Sequence, residues 1–243
     1  MVQPSIKGVR SGHEESVPTA VLKAVFANLN FQGWICLEGA PMKRSFFVFF
    51  GLLMAVLSVQ VRADAVPGSP APAFTLTDTL GKPVSLSDFK GRLVVLEWVN
   101  HGCPFVRKHY GAGNMQSLQK SFREQGVIWL SIQSTNPDHQ DYQAPAALEQ
   151  TMRKSGAAQH ATLMDPEGKV GRLYGAKVTP HLYLIDQAGT LRYAGAIDNI
   201  RSTDQADIAR ARNYIAAALD AVLAGRTVAD RRTTAYGCTI KYR

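Results

Sequence analysis

A cysteine followed directly by a proline, Cys103-Pro104, lies just beyond the apolar run LVVLEWV at residues 93–99 and opens a segment with helical spacing. A short run that is nearly all apolar and rich in β-branched residues reads as a central buried strand. Proline suits the first turn of a helix. A thiol at such a junction faces free N–H groups and the positive end of the helix dipole, which favour thiolate over thiol. The thiolate is the species that attacks disulfides and peroxides. The competing reading is a buried, inert cysteine; the polar, glycine-containing sequence around Cys103 argues against it.

The chain has three cysteines, Cys36, Cys103 and Cys238. Met42, Lys43 and Arg44 precede the apolar run FFVFFGLLMAVL at 46–57, and Ala63-Asp64-Ala65 supplies small residues at a cleavage position. A basic start, a short apolar run and an A-x-A ending describe a secretory signal peptide over 42–65. An uncleaved anchor is the alternative, but a spanning helix needs about 20 apolar residues. Residues 1–41, with Cys36, show no clear period and read as a mis-assigned or disordered leader. The expected mature protein is 66–243, periplasmic or secreted and not stably inserted in a membrane, long enough for one domain with a real core.

An even pair of cysteines in an exported chain is either a structural disulfide or a redox couple. Three states stand for Cys238: a redox partner of Cys103, a free or partner-linked thiol, or one end of a permanent bridge. The final helix, expected over 205–224, would run about 28 Å at 1.5 Å per residue. From Gly225 onward an extended chain reaches Cys238 over about 43 Å, enough for the 226–243 segment to return to Cys103.

The elements around these thiols are legible in outline. Residues 74–86 alternate about Leu80-Gly81-Lys82 as a β-hairpin does, and Ser87-Asp88 can cap a helical turn. Met115, Leu118 and Phe122 follow Pro104 at helical spacing, with Gly111 and Gly113 breaking the segment. Residues 127–134 read as a second central strand and 145–155 as a helix. Residues 165–176 read as a capped short helix and 181–195 as a hairpin about Gln187-Ala188-Gly189. Ile208, Ile215, Leu219 and Val222 share one face of the final helix. Lys and Arg outnumber Asp and Glu by 27 to 19 overall and by 21 to 15 in residues 66–243, a net charge there of +6. These basic residues are scattered without an aromatic-interleaved stripe, so no nucleic-acid partner is expected.

Three features make the chain resemble the thioredoxin-like superfamily, specifically its exported redoxin branch that joins thiol-disulfide oxidoreductases to the alkyl hydroperoxide reductase–thiol-specific antioxidant type. They are strand–Cys103–Pro104–helix, Val178-Thr179-Pro180 leading into HLYLID…TLRYAG, and an added N-terminal hairpin beginning Pro72-Ala73-Phe74. Together they cover nearly all of 70–225. The resemblance implies a mixed central sheet flanked by helices, with Thr179 and a cis-Pro180 facing Cys103 and pairing with an incoming thiol-bearing partner. It also implies that Glu97 is a buried acid that can move a proton to or from the leaving thiol; the alternative is a carboxylate paired elsewhere.

The chain departs from both relatives of that branch. Thioredoxins carry a second cysteine where Val106 stands, so no local disulfide can form. Peroxiredoxins carry a hydroxyl residue and a proline where Asn100 and Leu96 stand, so the usual peroxide-activating hydroxyl is missing; Asn100 or His101 is a candidate donor in its place. His101, His109 and His181 can gather near Cys103, but no close spacing supports a metal, and no cofactor is implied. His109 is expected on a solvated helix face with Arg107 and Lys108, His101 beside the thiolate, and Tyr110 in packing. The expected function is Cys103-dependent exchange with protein thiols and disulfides, resolved by Cys238 or by an external thiol and recharged by an unidentified electron donor. The alternatives are a hydroperoxide-reducing peroxidase and a redox-inert or metal-binding module.

Overall fold

The computed structural model describes residues 65–243; the leader and nearly all of the signal segment lie outside the described residues. Among the described residues no helix is long and apolar enough to cross a membrane.

The chain opens with β1 (Thr75–Asp78) and β2 (Pro83–Ser85), paired antiparallel. Asp78 Oδ1 closes their turn by accepting from the backbone N–H groups of Leu80 and Lys82. A 3₁₀ turn follows at Leu86–Phe89. Next come β3 (Val94–Trp98), α1 (Pro104–Gly111), α2 (Asn114–Glu124) and β4 (Ile128–Gln133). Then follow α3 (Pro145–Lys154), β5 (Ala161–Met164), α4 (Lys169–Tyr174) and β6 (Val178–Thr179). The hairpin β7 (His181–Ile185) and β8 (Leu191–Gly195), a 3₁₀ turn at Gln205–Arg210, α5 (Tyr214–Leu223) and β9 (Cys238–Thr239) complete it.

Seven strands form one mixed sheet in the order β2-β1-β5-β4-β3-β7-β8. β3 and β5 run parallel to β4, while β7 is antiparallel to β3, pairing Glu97 with Leu182 and Trp98 with His181. Side chains alternate across a strand, so β3 serves two cores. Val95 and Val99 pack with Cys103, Met115, Phe122, Leu148, Met152, Ile215 and Leu219. Val94, Leu96 and Trp98 pack on the other face with Tyr174, Tyr183 and Ile240. Glu97 falls on the face of Val95 and Val99, which places a carboxylate in the layer beneath Cys103.

The final helix is shorter than its apolar pattern suggests. Two N-caps divide the segment: Asp204 accepts from the Ala206 N–H and Asn213 from the Ala216 N–H, so a 3₁₀ turn and α5 form separately. Capping residues hydrogen-bond backbone N–H groups that would otherwise continue a helix, and so interrupt an amphipathic run. α5 has 10 residues, about 15 Å of helix, which shortens the path back for the chain beyond Gly225.

Candidate active site

The turn between β3 and α1 is built by Asn100. Its Oδ1 accepts from the Gly102 N–H at 2.7 Å, its carbonyl accepts from the Cys103 N–H at 3.0 Å, and its Nδ2 donates to Asp141 Oδ2 at 3.4 Å. A Cβ at Gly102 would lie 3.0 Å from that Oδ1 and 3.3 Å from the Asp141 carboxyl carbon, so glycine suits the turn. Cys103 then caps α1 in an extended conformation, and Pro104 occupies the first helical position, where its missing N–H costs nothing. The amide of Asn100 is thus engaged in shaping the loop and in holding Asp141.

Cys103 is 1% exposed. Its Sγ donates to the Thr179 carbonyl at 3.1 Å and accepts from the Cys238 N–H at 3.4 Å. The Thr179–Pro180 peptide bond is cis. β6 and β9 form a two-stranded antiparallel sheet in which Thr179 stands opposite Cys238 and Val178 opposite Thr239. The returning segment is held along its length: Thr233 bonds Ala194 and Ala196, the Ile240 N–H reaches the Lys177 carbonyl, and the Tyr242 hydroxyl reaches the Ala176 carbonyl. Gly237 permits the closest approach; its φ is +144°, and a Cβ there would overlap the Thr179 carbonyl. Burial of Ile240 contributes about 1.5–3 kcal/mol to this docking.

Both cysteines are free thiols in this structure. The Cys238 thiol is pushed up to about 12, first by burial and then by its hydrogen bond to Cys103 and the charge there. At neutral pH the Cys238 sulfur therefore keeps its proton.

Beneath this pair, the Glu97 carboxylate is fully buried and accepts four hydrogen bonds. They come from Tyr110 (3.0 Å), Trp129 (2.8 Å), Gln119 (3.2 Å) and Ser131 (3.3 Å). Burial raises it to about 7 and outweighs these donors, which pull the other way. None of its hydrogen-bond partners is a cysteine. Tyr110, expected in packing, is a polar member of this network, and its ring also meets His101 edge-on with centroids 4.8 Å apart.

The histidines do not gather. His101 Nε2 lies 2.9 Å from Met152 Sδ, and burial lowers it to about 4; a neutral ring at neutral pH supplies no charge to a thiolate. His181 stacks on Tyr183 with centroids 4.6 Å apart, toward the opposite core, and burial lowers it to about 4 as well. His109 and Lys108 correct the expectation of a solvated face, being 0% and 1% exposed. Both turn inward because Asp198, 90 residues from Lys108 in sequence, waits there. Lys108 Nζ stands 3.6 Å and His109 Nε2 3.8 Å from its Oδ2. Among the described residues no group of three metal-binding side chains forms.

Sequence reasoning missed β9 and the Asp198 cluster. The first had a signal: Tyr236, Cys238, Ile240 and Tyr242 alternate with Gly237, Thr239 and Lys241, the period of a strand. The second had none, because a buried Lys on an amphipathic helix reads as a solvated one until its distant partner is known.

A parallel βαβ core, an antiparallel hairpin, and a cysteine at a helix N-terminus facing an X-Pro loop define a thioredoxin-like protein. Residues 67–194 match the AhpC/TSA family, and the chain belongs to that family. It is 30% identical over 122 residues to the thiol-disulfide oxidoreductase ResA of Bacillus thuringiensis subsp. konkukian, covering 50% of this chain and 65% of that relative. The chain therefore spans less than two thirds of that protein's length. ResA of Bacillus subtilis is 27% identical over 157 residues, covering 60% of this chain and 82% of its own. Two solved structures share the fold. An uncharacterized conserved protein of Geobacillus kaustophilus has a TM-score of 0.65 at 26% identity, covering 74% of this chain and 94% of that one. A hypothetical protein of Sinorhizobium meliloti has a TM-score of 0.63 at 26% identity, covering 73% and 95%.

Proposed function

We propose that the protein is an exported thiol-disulfide oxidoreductase, periplasmic or secreted, in which 42–65 is a signal peptide and 66–225 the redox domain. Cys103 is the nucleophile and Cys238, carried on the 226–243 segment, the resolving thiol. The observation that carries this reading is the β6–β9 pairing, which sets Cys238 opposite Thr179 and bonds its N–H to the Cys103 sulfur.

The cycle balances in two exchanges. The Cys103 thiolate attacks one sulfur of a substrate disulfide; that S–S bond breaks, one substrate thiolate leaves, and a mixed disulfide remains. Cys238 then loses its proton and attacks the Cys103 sulfur, expelling the second substrate thiolate and leaving a Cys103–Cys238 disulfide. A dithiol electron donor returns two electrons. In this reading Val106 removes the adjacent resolving thiol and the chain supplies one from 135 residues away. Glu97, raised to about 7 by burial, is the acid that holds or releases a proton beneath the site as thiolates form and leave. Pro104 fixes the start of α1. The Thr179 edge beside Pro180 is held by β9, so in this reading a partner takes that edge by displacing Cys238 from it, and Asn100 and His101 frame its approach through loop shape and packing.

A hydroperoxide is the second substrate class, favoured by the near-complete covering of Cys103, which admits a small oxidant more readily than a folded partner. Its test is the rate of Cys103 oxidation by hydrogen peroxide; a rate no faster than that of a simple thiolate would remove it. The main reading is tested with a protein disulfide as substrate. Cys103→Ser should abolish reduction, whereas Cys238→Ser should accumulate a mixed disulfide at Cys103. Turnover by Cys103→Ser would overturn it.

A further inference from the structure

On the side of α1 away from Glu97 lies a second buried polar cluster that the cycle above does not use. Asp198, 2% exposed, follows β8 and faces inward. Its Oδ2 meets Lys108 and His109, five and six residues beyond Cys103 on α1. Its Oδ1 accepts from the Ile200 N–H at 2.9 Å and from the hydroxyl of Tyr236, two residues before Cys238. Lys108 Nζ also donates to the Ile200 carbonyl at 3.2 Å, and His109 Nδ1 is bonded to Asn114 Nδ2 at 2.9 Å. The Tyr236 ring packs edge-on against Phe105, two residues beyond Cys103, with centroids 5.7 Å apart. One carboxylate thus touches both the helix that carries the nucleophile and the segment that carries the second thiol.

Stability alone is a poor reason for such a cluster. Desolvating a lysine and an aspartate costs about as much as their attraction returns, and apolar residues of the same shape would serve as well. A buried pair of this kind does fix a relative position, because only one geometry satisfies it.

We infer that Asp198 is a positioning residue for the resolving step, holding α1 through Lys108 and the returning segment through Tyr236 so that Cys238 is kept against Cys103. The inference rests on the paired-cysteine reading above. When a substrate occupies the Cys103 sulfur, the β9 contacts to that sulfur are disturbed. The Tyr236–Asp198 bond lies off the sulfur and remains available to draw the segment back. Without it, the mixed disulfide persists and is open to external thiols.

The test uses dithiobis-nitrobenzoate, sub-stoichiometric to the reduced protein. The first nitrothiobenzoate is released as the mixed disulfide forms. The second is released as the partner cysteine, losing its proton to solvent, attacks the protein sulfur and breaks the bond to the reporter. Tyr236→Phe keeps the ring and its contact with Phe105 while removing the hydroxyl. Its first phase should not be slowed, and its second should slow by about tenfold or more, the scale of a hydrogen bond to a charged group. Asp198→Asn, where it folds, should behave alike. Tyr242→Phe removes another hydroxyl from the same segment and should match the wild type, which separates this anchor from general loosening. A second phase for Tyr236→Phe within about twofold of wild type, less than such a bond provides, would overturn the inference. Equal slowing by Tyr242→Phe would also overturn it. Absence of any second release from the wild type would instead remove the paired-cysteine reading itself, and the inference with it.

Discussion

Two carboxylates are buried on either side of α1, and the chain treats them in opposite ways. Glu97 is surrounded by neutral donors, Tyr110, Gln119, Trp129 and Ser131, and burial raises it to about 7. Asp198 is given a cation, Lys108, at 3.6 Å. Neutral donors stabilise a carboxylate but cannot offset full desolvation, so such a group exchanges its proton near neutral pH. A paired cation satisfies the charge and fixes a geometry. Burial alone therefore does not set the behaviour of an acid; the charge of its partners matters as much.

The contrast is broken most strongly by exchanging the two treatments. Asp198→Asn leaves the Lys108 ammonium buried without its counter-charge, and should destabilise the fold by about 3–5 kcal/mol in chemical denaturation. Glu97→Gln should do the reverse at pH 8. It removes a charge that the fold disfavours, with the amide donating to the Tyr110 hydroxyl oxygen as a protonated carboxyl would. From a value near 7 in the fold against 4.5 when unfolded, the gain is at most about 3 kcal/mol. Equal losses in the two variants would erase the distinction.

The pH dependence sharpens it. Glu97 binds its proton more tightly folded than unfolded, so its contribution falls as pH rises from about 4.5 to about 7 and then levels off. His101, His109 and His181 run the other way: each is lowered to about 4 by burial. Their contribution is full above about 6.5 and is lost as pH falls through about 4. Three such groups outweigh one carboxyl, so the protein should lose stability on acidification, and Glu97→Gln should lose it more steeply. Denaturation midpoints at a series of pH values check this; a variant slope equal to that of the wild type would contradict the placement of the Glu97 titration. The smallest effect belongs to Thr179. Only its backbone is bonded to Cys103 and paired with Cys238, so Thr179→Ala should cost only about 1 kcal/mol of buried methyl and leave cysteine reactivity intact.

Much of the frame was legible because its signals are local. The run at 93–99 forms β3 with a single acid in it, Pro104 begins α1, and Gly111 and Gly113 separate α1 from α2. The 205–224 pattern misled because Asp204 and Asn213 make two caps within one amphipathic stretch. Lys108 and His109 misled for a different reason. Their spacing on α1 suits solvent as well as a buried acid, and Asp198 is remote in sequence. Cys238 sits between: the alternation from Tyr236 to Tyr242 marks a strand, yet nothing local tells which edge it joins. What was least legible is the part that links Cys103 to Cys238, since it depends on pairings between distant segments.

Mild oxidation of reduced 66–243 tests the link between Cys103 and Cys238 most directly. Intact mass should fall by about 2 Da as two thiol hydrogens are lost in forming one disulfide. Peptide mapping should then join the Cys103 peptide to the Cys238 peptide within one chain. Oxidation that yields only dimers or adducts with small thiols, with no internal bridge, would contradict the assignment of Cys238 as the resolving thiol.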